Sequence, residues 1–110
     1  MEIKFERLRD IQVVTLKGSL DSENVSELKK IFDDFLQASR SRIVVDLEEV
    51  DSIDSSVLAV FVTRSHDFDK RGGGLYLAGV KDSIRDILDS FSLTPFFRIF
   101  TDVNEACKSV

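Results

Sequence analysis

Cysteine, proline, histidine and tryptophan are almost missing from this chain of 110 residues, which has one Cys, one Pro, one His and no Trp. A lone Cys107 excludes an intramolecular disulfide. It also makes no zinc constellation with His66, some forty residues away in sequence. Long apolar runs are absent too: none approaches the roughly 20 residues that span a bilayer. The first ten residues, MEIKFERLRD, are charged throughout and have no apolar centre, so they do not resemble a signal peptide. Basic charge is in deficit, with 15 Lys and Arg against 20 Asp and Glu and a net charge of -5. That balance argues against nucleic acid or an anionic membrane as the main partner. A soluble cytoplasmic protein is the expectation.

What is present is an ordinary globular mixture, 43% hydrophobic and 32% charged. The length suits one domain over residues 1–110 with one core. The stretch from Ile43 to Val62, IVVDLEEVDSIDSSVLAVFV, organises the rest. Its β-branched start, Ile43-Val44-Val45, reads as a buried strand reaching Asp46 and Leu47. Glu48 to Ile53 reads as an acidic, turn-like loop. Asp54-Ser55-Ser56 directly before an apolar run reads as a helix start, since short oxygen-bearing side chains accept from free first-turn N–H groups. Val57 or Leu58, not Glu, holds the N3 position, so no reciprocal capping box forms there. Two hydroxyls are thereby expected at the helix N-terminus, on the side of an α/β sheet where partners usually dock.

In chain order, Ile3, Phe5 and Arg7 alternate with Glu2, Lys4 and Glu6, the period of a half-buried strand. Ile11 to Lys17 makes a second strand and a hairpin with the first. Gly18-Ser19-Leu20-Asp21 ends it, with Asp21 or Ser22 as the next cap. Val25, Leu28, Ile31, Phe32, Phe35 and Leu36 form one stripe of an amphipathic helix over Val25 to Ala38. A second helix runs from Ser55 to Lys70, apolar on nearly every side in its first turns, and Gly72-Gly73-Gly74 stops it. Leu75 to Ala78 is a strand, and Ile84, Ile87, Leu88 and Phe91 lie on one face of a third helix. Pro95 biases Thr94 away from helical angles. Phe96 to Phe100 is expected as a last strand, and Val103 to Val110 as a final helix capped by Thr101 or Asp102. The order predicts an α/β fold: a mixed four- to five-stranded sheet opened by a β-hairpin, with about four helices and right-handed parallel crossovers.

Candidate chemistry narrows quickly. A hydrolase built on Ser55 or Ser56 has only His66 as base, about 15 Å further along the same helix at 1.5 Å per residue. Nucleophile and base must lie within hydrogen-bonding reach. Glu48, Glu49, Asp51 and Asp54 lack the spacing of a Ca²⁺ loop, so the acidic run reads as solvated and no metal or cofactor is expected. The triple glycine follows a helix rather than preceding one, the wrong end for a phosphate loop. Asp46 at a strand end raises a response-regulator receiver, but the acidic pair and lysine of that fold are misplaced and the hairpin start conflicts with it. Asp54-Ser55-Ser56 remains, either as a plain cap or as a phosphorylation site. A phosphate adds about -1.5 to -2 charge. The helix dipole offsets this by ~0.3–1 kcal/mol per charge, and the neighbouring carboxylates oppose it comparably. Modification is therefore expected to switch binding and leave the fold intact.

The whole chain resembles the STAS domain, specifically the bacterial anti-sigma factor antagonists. The resemblance rests on Gly18-Ser19-Leu20-Asp21, on Val44-Val45-Asp46-Leu47 leading to Val50-Asp51-Ser52-Ile53-Asp54-Ser55-Ser56-Val57-Leu58, and on Gly73-Gly74-Leu75-Tyr76-Leu77-Ala78. Ile87-Leu88-Asp89-Ser90-Phe91-Ser92-Leu93 and Phe100 to Ala106 continue it. It implies a single STAS-like domain that works by partner switching. Unmodified, such a protein binds an anti-sigma factor that is also a serine kinase using ATP. Phosphorylation of the residue corresponding to Ser55 releases that partner, and a serine phosphatase reverses the step. Asp21 and Asp54 match family positions beside the phosphosite, and Ser56 neighbours it; with Val57 these make the expected partner-binding set. Where the family commonly has glycine, this chain has Val57, Ala59 and Ser92, and the branched Val57 is expected to bear on how closely a kinase approaches. A STAS scaffold or lipid-transport subunit without phosphorylation is the alternative.

Overall fold

The sheet is laid down almost in chain order. The structure is a computed structural model describing residues 1–110. Strands β1 (Glu2–Leu8) and β2 (Ile11–Leu20) form the hairpin, and α1 (Val25–Gln37) leads to β3 (Arg42–Ile53). Then come α2 (Ser55–Lys70), β4 (Gly74–Ala78), α3 (Asp82–Ser90), β5 (Ile99–Phe100) and α4 (Val103–Ser109), with 3-10 turns at Ser22–Asn24 and Thr94–Phe96. The five strands lie in the order β1-β2-β3-β4-β5. β1 pairs antiparallel with β2, and every later pair is parallel. Right-handed crossovers between successive neighbours all fall on one face of a sheet.

The packing follows from that handedness. Val14, Leu16, Val45, Leu47 and Leu77 of the sheet meet Leu28 and Phe32 of α1, Val57 and Phe61 of α2, and Ile84 and Leu88 of α3 in one core. Phe32 stands edge-on to both Phe61 and Phe68, each with ring centroids 6.1 Å apart. Such pairs add about 0.5–1.5 kcal/mol beyond their area burial. The opposite face carries a smaller cluster, where Ile11, Val13, Val44 and Ala78 are covered by Ala106 and Cys107 of α4.

Three boundaries differ from those expected. Gly18 to Leu20 does not end the hairpin but continues β2, and Glu48 to Ile53 is not a loop but the second half of β3. The cause lies in the register: Thr15 faces Asp46 while Lys17 faces Glu49, and Gly18 faces Val50 while Ser19 faces Ser52. At each step β3 carries one more residue than β2, and each such bulge re-aims the side chains that follow. Leu47, Val50 and Ile53, three apart instead of two, consequently all point into the core. Phe96 to Phe100 is mostly irregular: a 3-10 turn takes Phe96, and only Ile99 and Phe100 pair as strand.

The end of α2 forms a double-bonded C-cap. Gly72, at φ 82, donates to the Asp69 carbonyl, and Gly73 donates to that of Phe68, both at 3.0 Å. Only Gly72 of the three glycines is left-handed. Gly73 is required for another reason, since a Cβ there would sit 1.9 Å from the Ser41 carbonyl oxygen.

Candidate functional site

Asp21 and Asp54 each follow the last residue of a strand, and those residues, Leu20 and Ile53, are register partners. The Asp54 N–H donates to the Leu20 carbonyl at 3.1 Å, so the two caps stand side by side at one end of the sheet. Asp21 closes the turn Ser22–Asn24 reciprocally: its Oδ1 accepts from the Glu23 N–H, and its own N–H donates to Asn24 Oδ1, both at 2.9 Å. Asp54 is extended, at φ -99 and ψ 171, and caps α2. Its Oδ1 accepts from the Ser56 N–H at 3.1 Å, the Val57 N–H at 3.3 Å and the Ser56 hydroxyl at 2.5 Å.

These bonds hold the Asp54 carboxyl below its ordinary value of 3.8. The Ser56 hydroxyl does most of this; partial desolvation works against it, and the N–H groups of Val57, Ser56 and Ser22 add to it. Hydrogen bonds to the charged form favour that form. A fixed anion therefore stands beside Ser55.

The serines are not equivalent. Ser56 is half-buried and its hydroxyl is committed to Asp54, whereas Ser55 is exposed at the first position of the helix. The expected pair of solvent-facing hydroxyls is thus reduced to one. Val57 is fully buried in the main core, so its side chain offers no surface to a partner or a kinase. The N-terminal turn of α2 drives inward because Val57, Leu58, Val60 and Phe61 all pack against the sheet.

Two grooves flank α2. One, of about 330 Å³, is lined by Ser55, Leu58, Ala59, Val62, Phe91 and Leu93. Phe91, expected to share one face of a third helix with Ile84, Ile87 and Leu88, is instead the C-cap of α3 and 51% exposed at this groove. The other, of about 380 Å³, lies toward α1 and includes Lys29, Ser56, Thr63 and Arg64. Arg64 is held there by Asp33 at 3.2 Å and Asp67 at 3.4 Å. No reading of local periodicity signals Phe91 and Leu93 as neighbours of Ser55, because they lie beyond β4 in sequence and reach α2 only through the crossover.

The other candidates are scattered. His66 is exposed on α2, eleven residues and about 16 Å along the axis from Ser55, so the two cannot form a nucleophile–base pair. Asp46 accepts from the Glu48 N–H at 3.1 Å inside the first bulge. Cys107, on α4, is buried against the sheet, and burial pushes its thiol above the ordinary 9.0 against the pull of Arg9. No three His, Cys, Asp or Glu side chains converge as a metal set. No helix is long and apolar enough to cross a membrane.

The model of the STAS domain matches residues 2–106. The chain belongs to the STAS domain family. Within it, this STAS domain is 27% identical to a Thermotoga maritima protein named as a candidate anti-sigma factor antagonist. That crystal structure superposes with a TM-score of 0.91, over 98% of this chain and 93% of that one. The Paenibacillus polymyxa anti-sigma F factor antagonist is 26% identical over 101 residues, 91% of this STAS domain and 86% of that protein. The anti-sigma factor antagonist SpoIIAA in its unphosphorylated form shares the fold, with a TM-score of 0.85 at 22% identity over 98% and 95% of the two chains.

Proposed function

We propose that this STAS domain is an anti-sigma factor antagonist switched by phosphorylation at Ser55. Unmodified, it binds an anti-sigma factor with serine kinase activity and so frees a sigma factor for transcription. Phosphorylated on Ser55, it lets that partner go, and a serine phosphatase resets it. The role is one of binding in the cytoplasm and involves no catalysis by this chain. The observation that carries the reading is the asymmetry at the α2 N-terminus: Ser55 is open while Ser56 is tied to Asp54 and Val57 is buried. The relatives' names support the anti-sigma factor antagonist part of the reading.

The docking surface in this reading comprises Ser55, the Asp21 turn and the exposed side of α2, which presents Ala59 and Thr63 beside Ser55. A phosphate on Ser55 would meet the Asp54 anion with the Ser56 and Val57 amides already taken, so little in the chain neutralises it. Covered by a partner, it would be an uncompensated buried charge. Incubation with the cognate anti-sigma factor and ATP, followed by mass spectrometry, is expected to add one phosphate at Ser55 and none to a Ser55→Ala variant. Stable binding of that partner with no phosphate added would leave a STAS scaffold without a switch.

A further inference from the structure

The outer edge of β1 is open. Leu8 and Ile11 close the hairpin across a two-residue loop, Arg9-Asp10, and so exchange both backbone bonds. The alternation of an antiparallel ladder then makes Glu6 with Val13, Lys4 with Thr15 and Glu2 with Lys17 the other bonded pairs. The N–H and C=O groups of Ile3, Phe5 and Arg7 point the other way. No loop or turn bond in the chain uses them. An edge of seven residues with free backbone groups is a template for another strand.

We infer that β1 pairs antiparallel with β1 of a second copy, joining two five-stranded sheets across a two-fold axis through Phe5. The side chains select that register. Centred on Phe5, Lys4 stands directly opposite Glu6 of the second copy, and Glu6 opposite its Lys4. Ile3 stands opposite Arg7, and all seven residues of each strand are paired. A shift that moves the axis to Lys4 or Glu6 sets like charges against each other, Lys4 on Lys4 or Glu6 on Glu6, which is unfavourable. Lys4 and Glu6 already pair at 3.5 Å within one strand, so the two strands would assemble an alternating quartet. On the other side of the sheet Phe5 is 55% exposed, stacked edge-on against Phe35 with centroids 6.2 Å apart. It would meet Phe5 of the second copy at the axis. Ser55 follows β3, two strands in from this edge, so the pairing leaves it open.

An interface of two seven-residue strands is small, which places the dissociation constant at roughly 10 µM to 1 mM. Sedimentation equilibrium across that concentration range is expected to show a monomer–dimer equilibrium. Lys4→Glu and Glu6→Lys, each at an exposed side chain, should weaken it by about ten- to thirty-fold, and the double variant should restore it to within a few-fold. Thermal melts check that all three variants remain folded. Amide exchange at Ile3, Phe5 and Arg7 should slow with concentration, while Lys4 and Glu6, already bonded to β2, stay unchanged. A chain that remains monomeric up to about 1 mM overturns the inference. So does a dimer that tolerates the single reversals, or one the double variant fails to restore.

Discussion

Replacing Ser55 by Asp separates a binding switch from a folding switch. The new carboxylate stands at the first position of α2, where the macrodipole contributes ~0.3–1 kcal/mol in its favour. Asp54 is held ionised beside it and has taken the Ser56 and Val57 amides, so repulsion of similar size opposes that gain. The side chain at this position is exposed and makes no core contact, which leaves no packing loss to add. Net stability should change by less than ~1 kcal/mol, or less than about 6 °C in melting temperature for a chain of this size. Against an anti-sigma factor covering this surface, the same charge costs ~2–5 kcal/mol, about thirty- to several thousand-fold in affinity. Calorimetric titration with the partner, run beside thermal melts of both proteins, reads both quantities. A Ser55→Asp variant that binds as tightly as the parent would refute the reasoning, as would one whose melting temperature collapses.

Three further outcomes follow from other parts of the structure. Because the Asp54 carboxyl is depressed in the fold, the stability it contributes is fully present above its ordinary value of 3.8 and is lost as pH falls through the lower folded value. Urea midpoints of Asp54→Asn between about pH 6 and pH 2 should therefore show a shallower acid loss than the parent, with Asn retaining much of the cap at neutral pH. Ser92 sits left-handed, at φ 57, in the cap that ends α3; Ser92→Gly relieves it and should raise the melting temperature by about 2–4 °C. Gly73→Ala drives a methyl group into the Ser41 backbone and should lower stability by at least ~2 kcal/mol, seen as a melting point roughly 10 °C lower.

Ser92 also shows how a departure from the family pattern becomes legible. The resemblance implies glycine at that position, and Ser92 sits at φ 57, a left-handed angle that glycine adopts without strain. Helices could be read from sequence because their signals are local: the stripe through Leu28 and Phe32, the Asp54 cap and the Gly72 stop all act within a few residues. The second half of β3 could not. Leu47, Val50 and Ile53 recur at three, a spacing belonging to neither strand nor loop, and only the bulges against β2 turn them into a buried face.

The same division runs through the candidate site. An exposed hydroxyl behind an aspartate cap is a matter of adjacent residues, so Asp54 and Ser55 stand out in the bare chain. Tertiary packing alone decides that Ser56 is tied back, that Val57 is sealed in the core, and that Phe91 opens onto the groove beside Ser55. Neighbouring residues determine a cap because its bonds close over two or three positions. Burial depends on what the crossovers bring against each face, and that is set by strand order and handedness across the whole sheet.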